Sequence, residues 1–157
     1  MKGDKKVIEA LNDILTAELT GINQYFVHAK MCESWGYQRL AEVNRSESIG
    51  EMKHADHVID RILFLDGVPN MQRLEKVRVG ESVAEQLKAD LALELNAVVR
   101  LNNSIEVAVA AKDNATRELL ERILVDEQEH IDWLEAQLGQ IEQMGIENYL
   151  AVQVRGA

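Results

Sequence analysis

Apolar residues recur at steps of three and four along almost the whole chain, the spacing that lines one face of an α-helix, while alternation of apolar with polar residues is nearly absent. Few breakers interrupt this pattern. It predicts a first helix from about Lys5 to Ser34, ending near Gly36, and a second from about Arg39 to the Asp66-Gly67-Val68-Pro69 stop. A third begins at the Glu81-Ser82 cap and runs to about Ala111, and a fourth leads from the Lys112-Asp113-Asn114 turn to Met144-Gly145. A short fifth helix is expected within Ile146 to Val154. Two connections are tight, which makes the helices they join antiparallel neighbours. The stretch from Gly67 to Gly80 differs: at about 3.3 Å per residue it can extend roughly 45 Å, the length of a helix. The second and third helices can therefore run parallel. The expected fold is all-α, an up, down, down, up four-helix bundle with one long crossover and a short C-terminal helix. The 157 residues, with a single proline, are expected to form one domain, 1-157.

The apolar stripes carry charged residues where none belongs. On the first helix the stripe reads Leu11, Leu15, Glu18, Ile22, Tyr25, Ala29, and on the third Leu87, Leu91, Glu94, Val98, Leu101, Ile105. The second helix sets Glu51 and His54 between Asn44, Glu47 and Val58, Ile62, Leu65. The fourth sets Glu127 and His130 between Leu120, Ile123 and Leu134, Leu138, Ile141. Each Glu-x-x-His places both side chains on one helical face. Glu18 and Glu94, Glu51 and Glu127, and His54 and His130 are each 76 positions apart, as an internal duplication of one Glu…Glu-x-x-His hairpin would leave them. All lie near the middle of their helices, where two hairpins related by a two-fold axis across the bundle bring equivalent residues together.

Burying even one unpaired carboxylate costs several kcal/mol, so four of them need compensation. A buried salt-bridge network would supply it, but the stripes hold no Lys or Arg; Arg61, Arg100 and Arg117 fall beside them. Two divalent cations would balance the four acids, and two imidazoles would complete a mixed nitrogen and oxygen set suited to iron or manganese.

Composition narrows the partners. Lys and Arg number 17 against 27 Asp and Glu, a formal net charge of −10, the wrong sign for a chain that tracks nucleic acid or anionic lipid. The lone Cys32 can form neither an internal disulfide nor a cysteine zinc site, which favours a reducing compartment. The longest unbroken apolar run, Val107 to Ala111, is too short to span a membrane, and no leader is legible at the start. A cytoplasmic location, with no nucleic acid and no membrane, is expected.

At this point the chain resembles the bacterioferritin family over essentially its whole length. The resemblance rests on Met1 to Asp4, Ile22-Asn23-Gln24-Tyr25-Phe26, Glu51-Met52-Lys53-His54-Ala55-Asp56, Arg61-Ile62-Leu63-Phe64-Leu65 and Glu127 to Trp133. One Glu from each of two helices and Glu-x-x-His from the other two is the ligand set of ferritin-like di-iron and di-manganese proteins. The resemblance implies two iron ions per subunit, with Glu51 and Glu127 bridging, Glu18 and His54 completing one shell, and Glu94 and His130 the other. It implies iron storage and a ferroxidase that oxidises Fe(II) with O2 or H2O2 and lays down a ferric mineral inside a hollow 24-mer built from dimers. Met52, which spacing alone reads as an apolar contact, becomes a haem axial ligand, with haem b shared between two subunits. Tyr25 is either a buried aromatic with a satisfied hydroxyl or a redox-active neighbour of the site. A bacterioferritin-associated ferredoxin would deliver electrons for iron release.

Some departures and alternatives remain on the same residues. Some bacterioferritins carry His and Asp where this chain has Ser46 and Gly50, which places an auxiliary inner-face iron site in doubt here. Glu47 is either an iron ligand in transit or a solvated or paired acid. His28 and His57 read as structural or surface groups, and Trp35 and Trp133 as core or interface anchors. Other functions compatible with the stripes are a different ferritin-like di-iron or di-manganese peroxidase and a non-catalytic haem-bearing subunit of a mixed shell.

Overall fold

The computed structural model describes residues 1–155, and among them it holds five helices and no strand. They are α1 (Lys5–Trp35), α2 (Gln38–Phe64), α3 (Val83–Ala110), α4 (Asn114–Met144) and the short α5 (Ile146–Ala151). Local chemistry sets the ends. The Asp4 carboxylate accepts from the Lys6 and Val7 amides at the start of α1, Ser82 caps α3, and Asp113 caps α4. Gly36 stops α1 in the left-handed region at φ 87°, a conformation open to glycine without a Cβ penalty.

α1 pairs with α2 and α3 with α4, as the tight turns require. The crossover between α2 and α3 then climbs along one edge of α1, held at every fourth residue. Asn12 donates to the Val68 carbonyl and accepts from the Asn70 amide, Thr16 accepts from the Arg73 side chain, and Thr20 accepts from the Glu75 amide. Gln24 accepts from the Arg78 amide and His28 Nε2 from the Gly80 amide. This polar ladder carries the chain from the N-terminal end of α1 back toward its C-terminal end, so α3 starts beside the start of α2 and runs parallel to it. The bundle is up, down, down, up, as expected, and α5 ends three residues earlier than the outer limit read from the sequence.

The core is not uniform. One apolar cluster, with Leu11, Leu15, Val58, Ile62, Leu101 and Leu120, fills one end of the bundle; another, with Cys32, Leu40, Leu87, Leu134 and Tyr149, fills the other. Between them lies a buried polar waist of Glu18, Gln24, His28, Asn44, Ser48, Glu51, Asp90, Glu94, Glu127 and His130. Two dry ends hold the helices in register, and the waist is what that register brings together.

Candidate metal centre

At the waist, ligand atoms of Glu18, Glu51, His54 and Glu127 all lie within 4.8 Å of one another. His54 Nδ1 stands 3.1 Å from Glu127 Oε1, 3.4 Å from Glu18 Oε2 and 3.9 Å from Glu51 Oε1. Its other nitrogen, Nε2, lies 2.8 Å from Asp126 Oδ2. The ring is thus fixed from outside by an acid, with Nδ1 turned inward. Glu51 comes this close because α1 has Gly21 opposite it: a Cβ there would sit 2.6 Å from Glu51 Oε2. Side-chain volume at position 21 is incompatible with the observed place of the carboxylate.

Glu94 and His130 are brought to the same waist but not into that cluster. The Tyr25 hydroxyl donates to Glu94 Oε1 at 2.5 Å. His130 packs edge-on against Tyr25, with ring centroids 5.3 Å apart, and stacks on Trp133 at 5.6 Å. Its Nδ1 faces Glu47 Oε1 at 3.2 Å. Glu47, His54, Asp126, Glu129, His130 and Gly50 line an open pocket of about 510 Å³ over this side of the site. Of the sequence-selected residues, Met52 lies elsewhere, with 56% of its surface exposed on α2. His57 is exposed. His28 is buried and structural: its Nδ1 meets Asp90 at 3.0 Å while Nε2 holds the crossover.

The electrostatics follow from burial. Loss of water raises Glu18, and pushes Glu51 well above the carboxylate range with help from Glu18 and Glu127 beside it. Burial also lifts Glu47, aided by the Glu127 charge, to about 7. For His54 burial works against the charged ring, but the acids Glu127 and Glu18 against its Nδ1 outweigh it and hold it at about 11. His130, buried with less compensation, is lowered. Burial, then Asp90, pushes Tyr25 well above the phenol range.

Whether these residues suit cations can be read from their unsatisfied atoms. Glu18 Oε2, His54 Nδ1, Glu94 Oε2, Glu127 Oε1 and His130 Nε2 are buried without a hydrogen-bond partner. Five of the six candidate ligands thus each hold a buried polar atom without a well-formed hydrogen bond, His54 Nδ1 having only its charge contacts to Glu127 and Glu18, and the sixth, Glu51, sits in the Gly21 cradle. Buried polar atoms are rarely left so, and each costs about 1–3 kcal/mol or more unless a partner arrives. A four-carboxylate, two-imidazole set of this kind fits a pair of divalent first-row ions.

Sequence reasoning named all six candidate ligands and missed Asp126 and Gly21. The first was legible only as a residue beside Glu127, the second only as a helical glycine four residues before Tyr25; Asp126 gains meaning only when α4 packs on α2, and Gly21 only when α1 does.

The fold and waist mark out a class. Residues 8–144 match the family model described as a ferritin-like domain. Similar chains include the bacterioferritin of Streptomyces coelicolor, 52% identical over 154 residues covering 98% of this chain and 92% of that one. The bacterioferritin of Mycobacterium leprae is 50% identical over 96% of this chain and 95% of its own. That of Brucella melitensis is 45% identical over 95% and 92%. The chain belongs to the bacterioferritin family.

Proposed function

We propose that this protein stores iron, oxidising Fe(II) to Fe(III) at the waist of each bundle and depositing the product as a ferric mineral. The observation that carries the reading is the convergence of Glu18, Glu51, His54 and Glu127 ligand atoms within 4.8 Å of one another at a buried waist, with Glu18 Oε2 and Glu94 Oε2 left without a hydrogen-bond partner. Iron(II) is the substrate; two ions side by side give up one electron each, together reducing one molecule of O2 or H2O2 by two electrons.

The chain's own residues prepare that event. Glu51 and Glu127, from α2 and α4, would be shared between the two ions, and Glu18 with His54, and Glu94 with His130, would complete the two positions. Burial makes Glu18 and Glu51 reluctant to ionise, so incoming cations displace protons from them. The pocket lined by Glu47, Asp126 and Glu129 offers a negative path from the surface to the site. Tyr25, whose hydroxyl rests on Glu94, is placed to serve as a redox-active neighbour.

Storage needs a closed shell that one bundle cannot enclose, and we assign a 24-mer built from dimers. Met52 fits the further role of haem ligand: its exposed thioether is available to a second copy of the chain, and a haem b held by two such residues would supply electron transfer for release. A small bacterioferritin-associated ferredoxin is the assigned electron donor. No helix among the described residues is long and apolar enough to cross a membrane, and a cytoplasmic location accords with the single buried Cys32.

Stopped-flow Fe(II) oxidation by the assembled protein tests the reading. A fast phase saturating at two irons per chain is expected, abolished by Glu18→Ala or Glu127→Ala with assembly retained; unchanged kinetics in both variants would refute the assignment.

A further inference from the structure

The 76-residue repeat relates more than the ligands. The position 76 residues before Asp126 is Gly50, and the position 76 residues after Glu47 is Ile123. In the first half of the site, His54 has Asp126 on its outer nitrogen at 2.8 Å, and no acid stands where Glu47 would be, because Ile123 is there, buried. In the second half, His130 has no outer acid, because residue 50 carries no side chain, and an acid that the first half lacks, Glu47, faces its Nδ1 at 3.2 Å. The consequence is visible at His130 Nε2, which is buried without a hydrogen-bond partner. Gly50 lines the same pocket as His130, and a Cβ built on it meets nothing within 4 Å. The position has open space for the first side-chain atom of an acid.

We infer that Asp126 is a positioning residue for His54, and that Gly50 deprives His130 of the equivalent support, so that the two halves of the site bind cations with unequal affinity, the His54 half first. This rests on the paired-cation reading. Its physical basis is general: a carboxylate on the outer nitrogen of a ligating imidazole fixes the ring and leaves the inner nitrogen's lone pair for the metal, and removing it costs roughly 10–100-fold in affinity. Glu47 adds to the contrast, since His130 must leave it before Nδ1 can serve as a ligand.

Titration of the metal-free assembled protein with Co(II), followed by calorimetry and by the cobalt d–d absorption, tests the inference without any oxidation step. The wild type is expected to take up two ions per chain in resolved steps, the first at least tenfold tighter. Asp126→Ala is expected to weaken the first step by roughly 10–100-fold and alter its absorption band, while leaving the second nearly unchanged; Asp126→Asn, which keeps an acceptor oxygen, recovers part of the loss. Gly50→Asp is expected to tighten the second step about tenfold and narrow the gap. Equal affinities for the two steps, or a first step within twofold of wild type in Asp126→Ala, or a second step unmoved in Gly50→Asp, would overturn it. If Asp126→Ala fails to fold by circular dichroism, the Gly50→Asp arm decides alone. Failure of the paired-cation reading looks different: the wild type would bind no Co(II) in the waist, or Glu127→Ala would retain both steps.

Discussion

The two halves of the proposed metal centre repeat one sequence pattern at a spacing of 76 residues and yet are not alike. Glu18, Glu51, His54 and Glu127 are already gathered within 4.8 Å, whereas Glu94 is engaged by Tyr25 and His130 faces Glu47. The differences trace to positions flanking the ligands. Tyr25, which holds Glu94, has as its repeat equivalent Leu101, a buried apolar residue that offers Glu18 no hydroxyl. Asp126, which holds His54, has as its equivalent Gly50. The candidate ligands are the same in both halves, while the residues around them differ. A centre that binds two ions, as proposed, would have one position preorganised and the other completed only when its ligands leave other partners.

The comparison is broken most severely at the shared acids. Glu127→Ala removes a carboxylate common to both halves and is expected to abolish the uptake of a second cation and the fast oxidation phase together, read by Co(II) titration and stopped-flow absorbance. Retention of both phases would mean that Glu127 is not shared. The next largest effect belongs to the cradle. In Gly21→Ala the new Cβ would meet Glu51 Oε2 at 2.6 Å, so Glu51 must swing aside. Cation affinity is expected to drop by tenfold or more while the metal-free melting temperature stays within a few degrees, because the higher helix propensity of alanine, worth about 1 kcal/mol, offsets the repacking. An affinity equal to wild type would show that Glu51 is not a ligand in this position.

A smaller effect is expected from pH on the metal-free protein. Glu47 is raised from 4.5 to about 7 in the folded chain, and Glu18 and Glu51 are raised as well. Between those values the folded state holds protons that the unfolded chain has released, so these acids stabilise the fold below about pH 4.5, and that contribution is lost as the pH climbs through about 7. His54, raised from 6.5 to about 11, contributes fully only below about pH 6.5 and begins to lose that contribution above it, which adds to the fall at the top of the interval. The melting temperature of metal-free protein is expected to fall by several degrees between pH 5 and pH 7.5, and a divalent cation is expected to cancel the fall. A metal-free curve that rises over the same interval would contradict the burial of these acids. The smallest effect on the centre itself is that of Met52→Ala: at an exposed position the change in stability should stay within about 0.5 kcal/mol and Co(II) binding should be unaltered, while haem is lost from the purified shell. Haem retained at wild-type levels would remove Met52 from that role.

Much of this was legible before any fold was known. Charged residues on an apolar helical stripe are conspicuous because burial makes them costly, and a repeat spacing shared by three pairs has few explanations other than duplication. The up, down, down, up order followed from one long connection among short ones. Less visible were residues whose role is created by packing. Asn12, Thr16, Thr20, Gln24 and His28 recur every four residues, a polar row that would suit any wet helix face; only the crossover lying against α1 turns it into a ladder. Asp126, 59% exposed, carries no signal in the sequence, yet it meets His54 from outside. Gly21 carries none either, and its missing side chain is what lets Glu51 approach. Glu47 was left between a transit ligand and a paired acid, and the structure pairs it with His130.

The claim beneath all of this is that the polar waist is a binding site for two cations and not a self-sufficient hydrogen-bond network. Anomalous diffraction from crystals soaked in Mn(II) measures it directly. The account predicts two peaks per chain, one bounded by Glu18, Glu51, His54 and Glu127 and the other by Glu51, Glu127, Glu94 and His130, with His130 turned away from Glu47. A waist without anomalous density, its carboxylates instead bonded to one another or to side chains drawn in from the surface, would contradict it.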